Sequence, residues 1–145
     1  MQLEDCINYQ LTVTQNAVSS RFRSMLAPYQ VTPSQYGLLH CLWDEDGQSP
    51  TRLAQALCLD TSTMTGLLDR MEAKGLLVRE YSTEDRRAVA IYATELGRSL
   101  RSPITRAIEN ANRAVLHGLT AEEKAVLRRC LAVLYANAQH TDTEE

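Results

Sequence analysis

Residues Asp60 to Gly97 read DTSTMTGLLDRMEAKGLLVREYSTEDRRAVAIYATELG and are the most informative segment of the sequence. Its first part, up to Gly75, predicts a helix, because apolar side chains recur three and four residues apart and a glycine follows as a stop signal. These apolar residues are Met64, Leu67, Leu68 and Met71. The next two runs, Leu77 to Tyr81 and Ala88 to Ala93, are rich in Val, Ile and Tyr and predict a β-hairpin. Helix and hairpin together are typical of a winged helix.

The face of the predicted helix opposite its apolar stripe carries short side chains and one cation. At about 100° per residue, this outward face holds Ser62, Gly66, Asp69 and Ala73, flanked by Thr63, Thr65 and Arg70. Small hydroxyls let a helix approach the floor of a DNA major groove, and an arginine reaches base edges or phosphates. A solvated face rich in Ser and Thr is the competing interpretation of this helix taken alone.

A shorter helix is predicted just before it. Ser49 and Pro50 supply an N-cap hydroxyl and a first-turn proline, and Asp60 or Thr61 can cap the helix that follows. The pair has the helix–turn–helix shape, with a free helix N-terminus available to a phosphate. The predicted DNA contacts on the two helices are Ser49, Arg52, Thr61, Ser62, Thr63, Thr65, Gly66, Asp69 and Arg70.

The turn between the two strands, Ser82 to Arg87, is strongly charged. The adjacent arginines Arg86 and Arg87 are unsuited to packing but suited to the phosphate backbone or to a narrow minor groove. Asp85 is predicted to brace one of them through a charge-assisted hydrogen bond. An ordinary exposed hairpin tip is the alternative.

These residues resemble the MarR (multiple antibiotic resistance regulator) family of bacterial transcription factors. The likeness is carried by Leu53-Ala54, by the run from Thr65 to Leu76, by Asp85-Arg86-Arg87, and by Thr94-Glu95-Leu96-Gly97. It extends over nearly the whole chain, with one departure at Ala93, where the family usually has leucine. The resemblance implies a mainly α fold with a small β-hairpin wing, a winged helix–turn–helix flanked by N- and C-terminal dimerisation helices. It also implies a homodimeric repressor on palindromic double-stranded DNA.

The flanking segments supply the predicted dimerisation helices. Apolar positions recur along Leu3 to Ala27, Glu95 to Leu116 and Thr120 to Ala138, each expected to form one helix. We expect residues 1–145 to form a single domain, with the winged helix at about 32–97 and dimerisation helices at about 3–27 and 95–138. Because the winged helix does not cover these apolar faces, a two-fold partner is the natural cover.

The net charge of the chain argues mildly against nucleic-acid binding until it is divided along the sequence. The net charge is −3, but residues 52–101 hold 8 basic and 7 acidic residues, a net charge of +1 against −4 elsewhere. This distribution suggests a small basic footprint for DNA. No uncharged run is apolar enough to span a bilayer, and no signal peptide is recognisable, so a cytoplasmic location without membrane association is expected.

Catalysis finds little support in the sequence. The three histidines are far apart, and neither a Gly-rich phosphate loop nor a nucleophile-elbow pattern occurs. No enzyme, metal site or cofactor is therefore predicted. The four cysteines, Cys6, Cys41, Cys58 and Cys130, lack C-x-x-C spacing and are expected to be buried, inert thiols.

The sensed signal has two competing interpretations. Family resemblance implies a small organic effector, such as an aromatic acid, bound between the dimer helices and the winged helix. Tyr36 and His40, spaced i,i+4, are similar in place to residues lining that pocket, and offer a ring and a hydrogen bond to a carboxylate. Placement in the core is the equally weighted alternative for this pair.

The other interpretation is a thiol switch at Cys6. This cysteine lies near the start of the first predicted helix and resembles the reactive cysteine of the organic-hydroperoxide-sensing branch. Aligned on Gln35-Tyr36, however, the branch position falls on Asn8, and Glu4 and Asp5 would disfavour a thiolate. A third hypothesis is an adaptor whose winged helix binds protein, since fold alone does not decide function.

Overall fold

The computed structural model describes residues 1–85 and 87–140 of the 145-residue chain. Its helices and strands are, in order, α1 Ile7–Leu26, α2 Pro33–Asp44, α3 Pro50–Leu57, α4 Thr61–Ala73, β1 Leu77–Tyr81, β2 Val89–Ala93, α5 Glu95–Ser99, α6 Arg101–Val115 and α7 Ala121–Gln139. Short 3-10 turns at Leu3–Asp5 and Ala27–Tyr29 flank α1. The chain forms two compact units, Met1–Ala111 and Asn112–Glu145.

Local capping signals set the starts of the central helices. Thr32 caps α2 with a full capping box, in which its hydroxyl accepts from Gln35 N–H and the Gln35 side chain accepts from Thr32 N–H. Ser49 caps α3 by accepting from Arg52 N–H at 3.1 Å. Asp60, rather than Thr61, caps α4. At its other end Gly75 has a φ of +73°, a left-handed conformation that suits glycine, as its predicted role of stop signal requires.

The two strands form an antiparallel hairpin, as predicted. Leu77 pairs with Ala93 and Tyr81 with Val89. Inward Leu77 and Ile91 are fully buried, which ties the hairpin to the helices. An isolated antiparallel β-bridge also pairs Gln48 with Ile91, beside the two-stranded sheet.

One hydrophobic core holds the first unit together. Its completely buried side chains are Leu26, Leu38, Leu39, Leu53, Met71, Leu77, Ile91 and Ile104. They come from α1, α2, α3, α4, both strands and α6, so α4 and the hairpin pack on one shared core. Such burial stabilises each large apolar side chain by roughly 1.5–3 kcal/mol.

The second unit contains the end of α6 and the whole of α7. Thr120 caps α7 with a capping box to Glu123. The helix leaves large apolar side chains in solvent, namely Val126, Leu127, Leu131, Val133 and Tyr135.

Two predicted helices are interrupted. The segment predicted as one helix from Leu3 begins as a 3-10 turn, and α1 starts only at Ile7, because Cys6 is extended with a ψ of 115°. The prediction of a single helix from Glu95 to Leu116 is wrong, since the segment breaks at Leu100 into α5 and α6.

The break near Leu100 has a tertiary cause. In a continuous helix the carbonyl of Gly97 would accept from the N–H of Arg101. Instead, the buried indole of Trp43 donates to Gly97 O at 3.0 Å. Arg101 in turn donates its guanidinium to Trp43 O at 3.1 Å. Gly97 also lies so close to the Leu76 backbone that a Cβ there would overlap its carbonyl oxygen.

The prediction of buried cysteines is wrong for part of the set. None of the four cysteines forms a disulfide in the described part of the chain, but Cys58 and Cys130 are exposed, and Cys6 and Cys41 are only half-buried. Cys58 ends α3 in a left-handed conformation, with a φ of 53°, which holds it in the turn rather than in the core. Burial, and secondarily the charge of Asp44, raises the pKa of the Cys41 thiol.

None of the described helices has the length and apolarity needed to cross a membrane.

Candidate nucleic-acid interface

The outward face of α4 is an exposed row of short polar side chains. Ser62, Thr63 and Thr65 are exposed, and Gly66 is half-buried between them and the next turn. The opposite face is buried through Met64, Leu67, Leu68 and Met71, as the sequence predicted. The helix therefore presents no bulky apolar side chain where a major groove floor would lie.

The N-terminus of α4 is organised around the Asp60 carboxylate. Its Oδ1 accepts from Thr63 N–H at 2.7 Å and from the Ser62 hydroxyl at 3.0 Å. The Thr63 hydrogen bond, followed by those from the Thr63 and Ser62 side chains, holds the pKa of Asp60 below its ordinary value. Thr61, predicted as a DNA contact, occupies the first helical position and accepts through its carbonyl from the Thr65 hydroxyl at 2.9 Å.

Arg70 and Gly66 share one turn of the helix. A Cβ placed on Gly66 would lie 3.2 Å from Nη1 of Arg70, so the guanidinium folds back over the glycine. Glycine thus leaves room for the cation on the exposed face. Both residues remain on the predicted DNA-contact surface.

Asp69 is paired with an arginine that sequence reasoning did not single out. Its Oδ1 accepts from Nη2 of Arg79 at 2.7 Å, and Glu72 Oε1 accepts from Nη1 of the same guanidinium at 3.0 Å. The Arg79 side chain is 15% exposed. Burial acts to lower the pKa of Arg79, but the hydrogen bonds and charges of Asp69 and Glu72 outweigh it and raise that pKa.

A sequence signal for Arg79 did exist. The alternation along β1 places it on the same face as the buried Leu77. An arginine at an inward strand position needs acidic partners, and Asp69 and Glu72 are the i,i+3 acidic pair of the neighbouring helix.

Arg52 and Ser49 lie together at the start of α3. Both are exposed. The Arg52 guanidinium forms a two-pronged pair with Glu45, at 2.9 and 2.7 Å. A phosphate must therefore share or displace this carboxylate to bind Arg52.

The wing tip is a tight turn built by side-chain caps. The Asp85 carboxylate accepts from the backbone N–H of Arg87 at 2.9 Å, so its brace acts on the main chain. The Ser82 hydroxyl accepts from Glu84 N–H and Asp85 N–H at 3.2 and 3.3 Å. Arg87 is exposed at this tip. Arg86 lies outside the described residues.

Tyr36 and His40 form part of a ring cluster on α2, not of the deep core. Their ring centroids are 5.8 Å apart, and each lies 6.4 Å from the Trp43 ring. Tyr36 is half-buried and His40 is exposed. Burial, with the charge of Asp44 as a smaller cause, raises the pKa of Tyr36. His40 Nε2 lies 3.4 Å from Asp44 Oδ2, so a carboxylate of the protein already occupies that side of the ring.

Cys6 occupies the N-cap position of α1 and is half-buried. Within the described residues, no group of three His, Cys, Asp or Glu side chains is arranged to hold a metal ion. The polar face of α4, together with the neighbouring wing, is therefore the remaining candidate for the functional surface.

Comparison of the sequence with known proteins gives matches to transcriptional regulators. The MarR family model matches residues 31–89, from just before α2 to the start of β2. The HTH-type transcriptional regulator TtmR of Methylorubrum extorquens (strain PA1) is 40% identical over 86 residues, 59% of this chain and 44% of TtmR. The match thus spans less than half the length of that relative. The organic hydroperoxide resistance transcriptional regulator of Bacillus subtilis (strain 168) is 33% identical over 101 residues, covering 70% of this chain and 69% of that protein.

Solved structures extend the likeness to nearly the whole chain. CouR from Rhodococcus jostii RHA1, bound to p-coumaroyl-CoA, superposes with a TM-score of 0.80 at 28% identity and covers 99% of both chains. CouR bound to a 23-mer DNA duplex gives a TM-score of 0.81 at 26% identity, over 93% of this chain and 98% of CouR. TtmR and the hydroperoxide resistance protein are transcriptional regulators, and CouR is a transcriptional repressor. The chain belongs to the MarR family of transcriptional regulators.

Proposed function

We propose that this protein is an effector-responsive repressor that acts in the cytoplasm as a homodimer on a palindromic operator. The observation that carries the proposal is the exposed polar face of α4, packed on the buried core beside an arginine-bearing wing. In this role α4 enters the major groove and the wing follows the backbone or minor groove. Binding of the relative CouR to a DNA duplex supports it.

The dimer is proposed from apolar surface that one protomer leaves uncovered. In the first unit, Leu3 and Ile7 are 61% and 50% exposed at the start of α1. In the second, Val126 and Tyr135 are 52% and 57% exposed on α7. Large apolar side chains that recur along a helix and face solvent are typical of subunit interfaces. Sedimentation at low concentration is expected to give twice the chain mass, and a stable monomer would contradict the proposed dimer.

Salt dependence separates DNA binding from the adaptor hypothesis. A protein that neutralises backbone phosphates releases counterions, so its affinity falls steeply as salt rises. An interface with another protein responds far less. We expect a steep linear loss of log affinity against log salt for duplex DNA, whereas a flat response would favour the adaptor.

For the effector, we propose a small aromatic acid held near the ring cluster of Tyr36, His40 and Trp43. Offset and edge-on ring contacts would orient a planar ligand there. The aromatic acyl ligand of CouR supports the chemical class. A thermal-shift screen of benzoates and cinnamates is expected to find stabilising ligands, and Tyr36→Ala should remove that stabilisation. Stabilisation that survives Tyr36→Ala would place the effector elsewhere.

A thiol signal at Cys6 is the second candidate. It is favoured by the likeness to the hydroperoxide resistance regulator and by the position of Cys6 at a helix N-cap. Hydroperoxide would then release DNA from the wild type but not from Cys6→Ser. Equal release from both proteins, or from neither, would remove Cys6 from the mechanism.

A further inference from the structure

A basic groove lies on the Arg70 side of α4, which is the recognition helix of the proposed function. It has a volume of about 530 Å³ and opens between α4, the start of α2 and the later part of α1. Arg23, Arg70 and Lys74 line it, and Ser34 lies at its α2 end. The residues lining the groove include no carboxylate. Cations from α1 and from the end of α4 therefore face one open surface.

The charge in this groove is not neutralised within the described part of the chain. Arg23 and Arg70 are exposed, and neither takes part in the ion pairs found among residues 1–85 and 87–140. Lys74 donates to Gln30 O at 2.7 Å and to Gln35 Oε1 at 2.9 Å, both neutral oxygens. The positive end of the α2 dipole adds to the same field.

Acidic and basic side chains therefore lie on opposite flanks of the recognition helix. Its acids, Asp69 and Glu72, are held on the wing side by Arg79. Arg70 and Lys74 line the groove on the other flank. A helix seated in a major groove about 12 Å wide has a phosphate backbone on either side. A flank with uncompensated cations fits one of these backbones.

We propose that this groove is a further DNA-docking surface, which seats backbone phosphates of the strand that passes α4 on its Arg70 side. The inference rests on the proposed function, in which α4 enters a major groove. Arg70 belongs both to the groove and to the predicted DNA-contact face, so a strand that touches Arg70 continues toward Arg23 and Ser34. Arg23 on α1 thereby joins the DNA footprint, although it lies outside the helix–turn–helix and the wing.

Arg23→Ala tests the proposal, with Arg21→Ala as the matched control. Both arginines are exposed on α1, and Arg21 does not line the groove. Binding is measured over a range of salt concentrations on a duplex selected from a random pool and on a scrambled duplex. Because each protomer of the dimer would neutralise one phosphate fewer, the salt slope should fall by about 2, and affinity should fall alike on both duplexes. Arg23→Lys should retain most of the slope, and Arg21→Ala should behave as the wild type.

The alternatives give different results. Wild-type binding with an unchanged slope for folded Arg23→Ala would overturn the docking surface and leave the proposed function standing. An equal loss for Arg21→Ala would reduce the effect to net charge and also overturn it. Normal DNA binding by Arg23→Ala, with loss of thermal stabilisation by inorganic phosphate, would make the groove a small-anion site instead. A wild type that binds no duplex would contradict the proposed function itself.

Discussion

Arg79 Nη2 lies 2.7 Å from Asp69 Oδ1, and this ion pair ties the outward face of the recognition helix to the first strand of the wing. The same guanidinium reaches Glu72 at 3.0 Å. One cation therefore fixes the orientation of two elements and offsets acidic charge beside the proposed DNA surface.

Replacing this cation should weaken DNA binding. Arg79→Met keeps a long apolar stem but leaves the carboxylates of Asp69 and Glu72 uncompensated next to a polyanion. We expect about a tenfold loss of affinity on all duplexes, equivalent to about 1.4 kcal/mol. Arg79→Lys, which keeps the charge but loses the two-pronged geometry, should fall between the wild type and Arg79→Met. Titration of labelled duplexes provides the measurement, and unchanged affinity for Arg79→Met would contradict this role.

The reciprocal variant distinguishes bracing from base recognition at Asp69. Because Oδ1 is held by Arg79, Asp69→Asn should change affinity alike on every sequence. Selection from a duplex pool with the Asp69→Asn protein is expected to return the same motif as selection with the wild type. A relaxed preference at one base pair of each half-site would instead show that the carboxylate accepts from a cytosine amino group.

The wing arginine should contribute independently of sequence. Arg87 is exposed at a turn whose backbone is held by Asp85, so truncating the side chain leaves the turn intact. Arg87→Ala should cost on the order of 1–3 kcal/mol of binding if the side chain lodges in the minor groove. Thr83→Ala, at the same exposed tip, is the control. Equal affinity for both variants and the wild type would remove the wing from the mechanism.

Thr65 is the residue of α4 for which we expect direct readout. Its hydroxyl donates to Thr61 O at 2.9 Å, which leaves the oxygen free to accept from a base amino group. Thr65→Val should therefore relax the preference at one base pair per half-site, while Thr65→Ser should retain it. A uniform loss over all sequences for Thr65→Val would argue against base recognition at this position.

The cap of α4 should give stability a specific pH dependence. Hydrogen bonds lower the pKa of Asp60 in the folded protein, so its stabilising effect is present above the unfolded pKa of about 3.9 and is lost as pH falls through the folded pKa. Asp60→Ala should lower the thermal midpoint at neutral pH, and the difference should shrink in acid. Asp60→Asn, which still caps, should stay close to the wild type at neutral pH. A constant gap between Asp60→Ala and the wild type down to strongly acid pH would contradict this assignment.

Local signals made much of the winged helix predictable. Thr32, Ser49 and Thr120 each place a hydroxyl one residue before a helix, and the structure uses all three as caps. The hairpin followed from two short runs rich in Val, Ile and Tyr, because strand propensity is a property of neighbouring residues. Such features depend on residues that are close together in the chain, so they can be predicted directly from the sequence.

Interactions between distant segments were not predictable in the same way. The hydrogen bond from Trp43 to Gly97 joins residues 54 positions apart, and it diverts the carbonyl that would have continued the helix through Leu100. The Asp69–Arg79 pair required knowing how β1 packs on α4. The groove beside Arg70 depends on the placement of α1, which apolar periodicity does not fix.

Selection of duplexes from a random pool with the purified protein, followed by a mass measurement of the complex, tests dimeric operator binding. We expect a palindromic motif with half-sites about one helical turn apart, bound by two chains per duplex. Enrichment of no motif, or of a non-palindromic motif bound by a single chain, would contradict it.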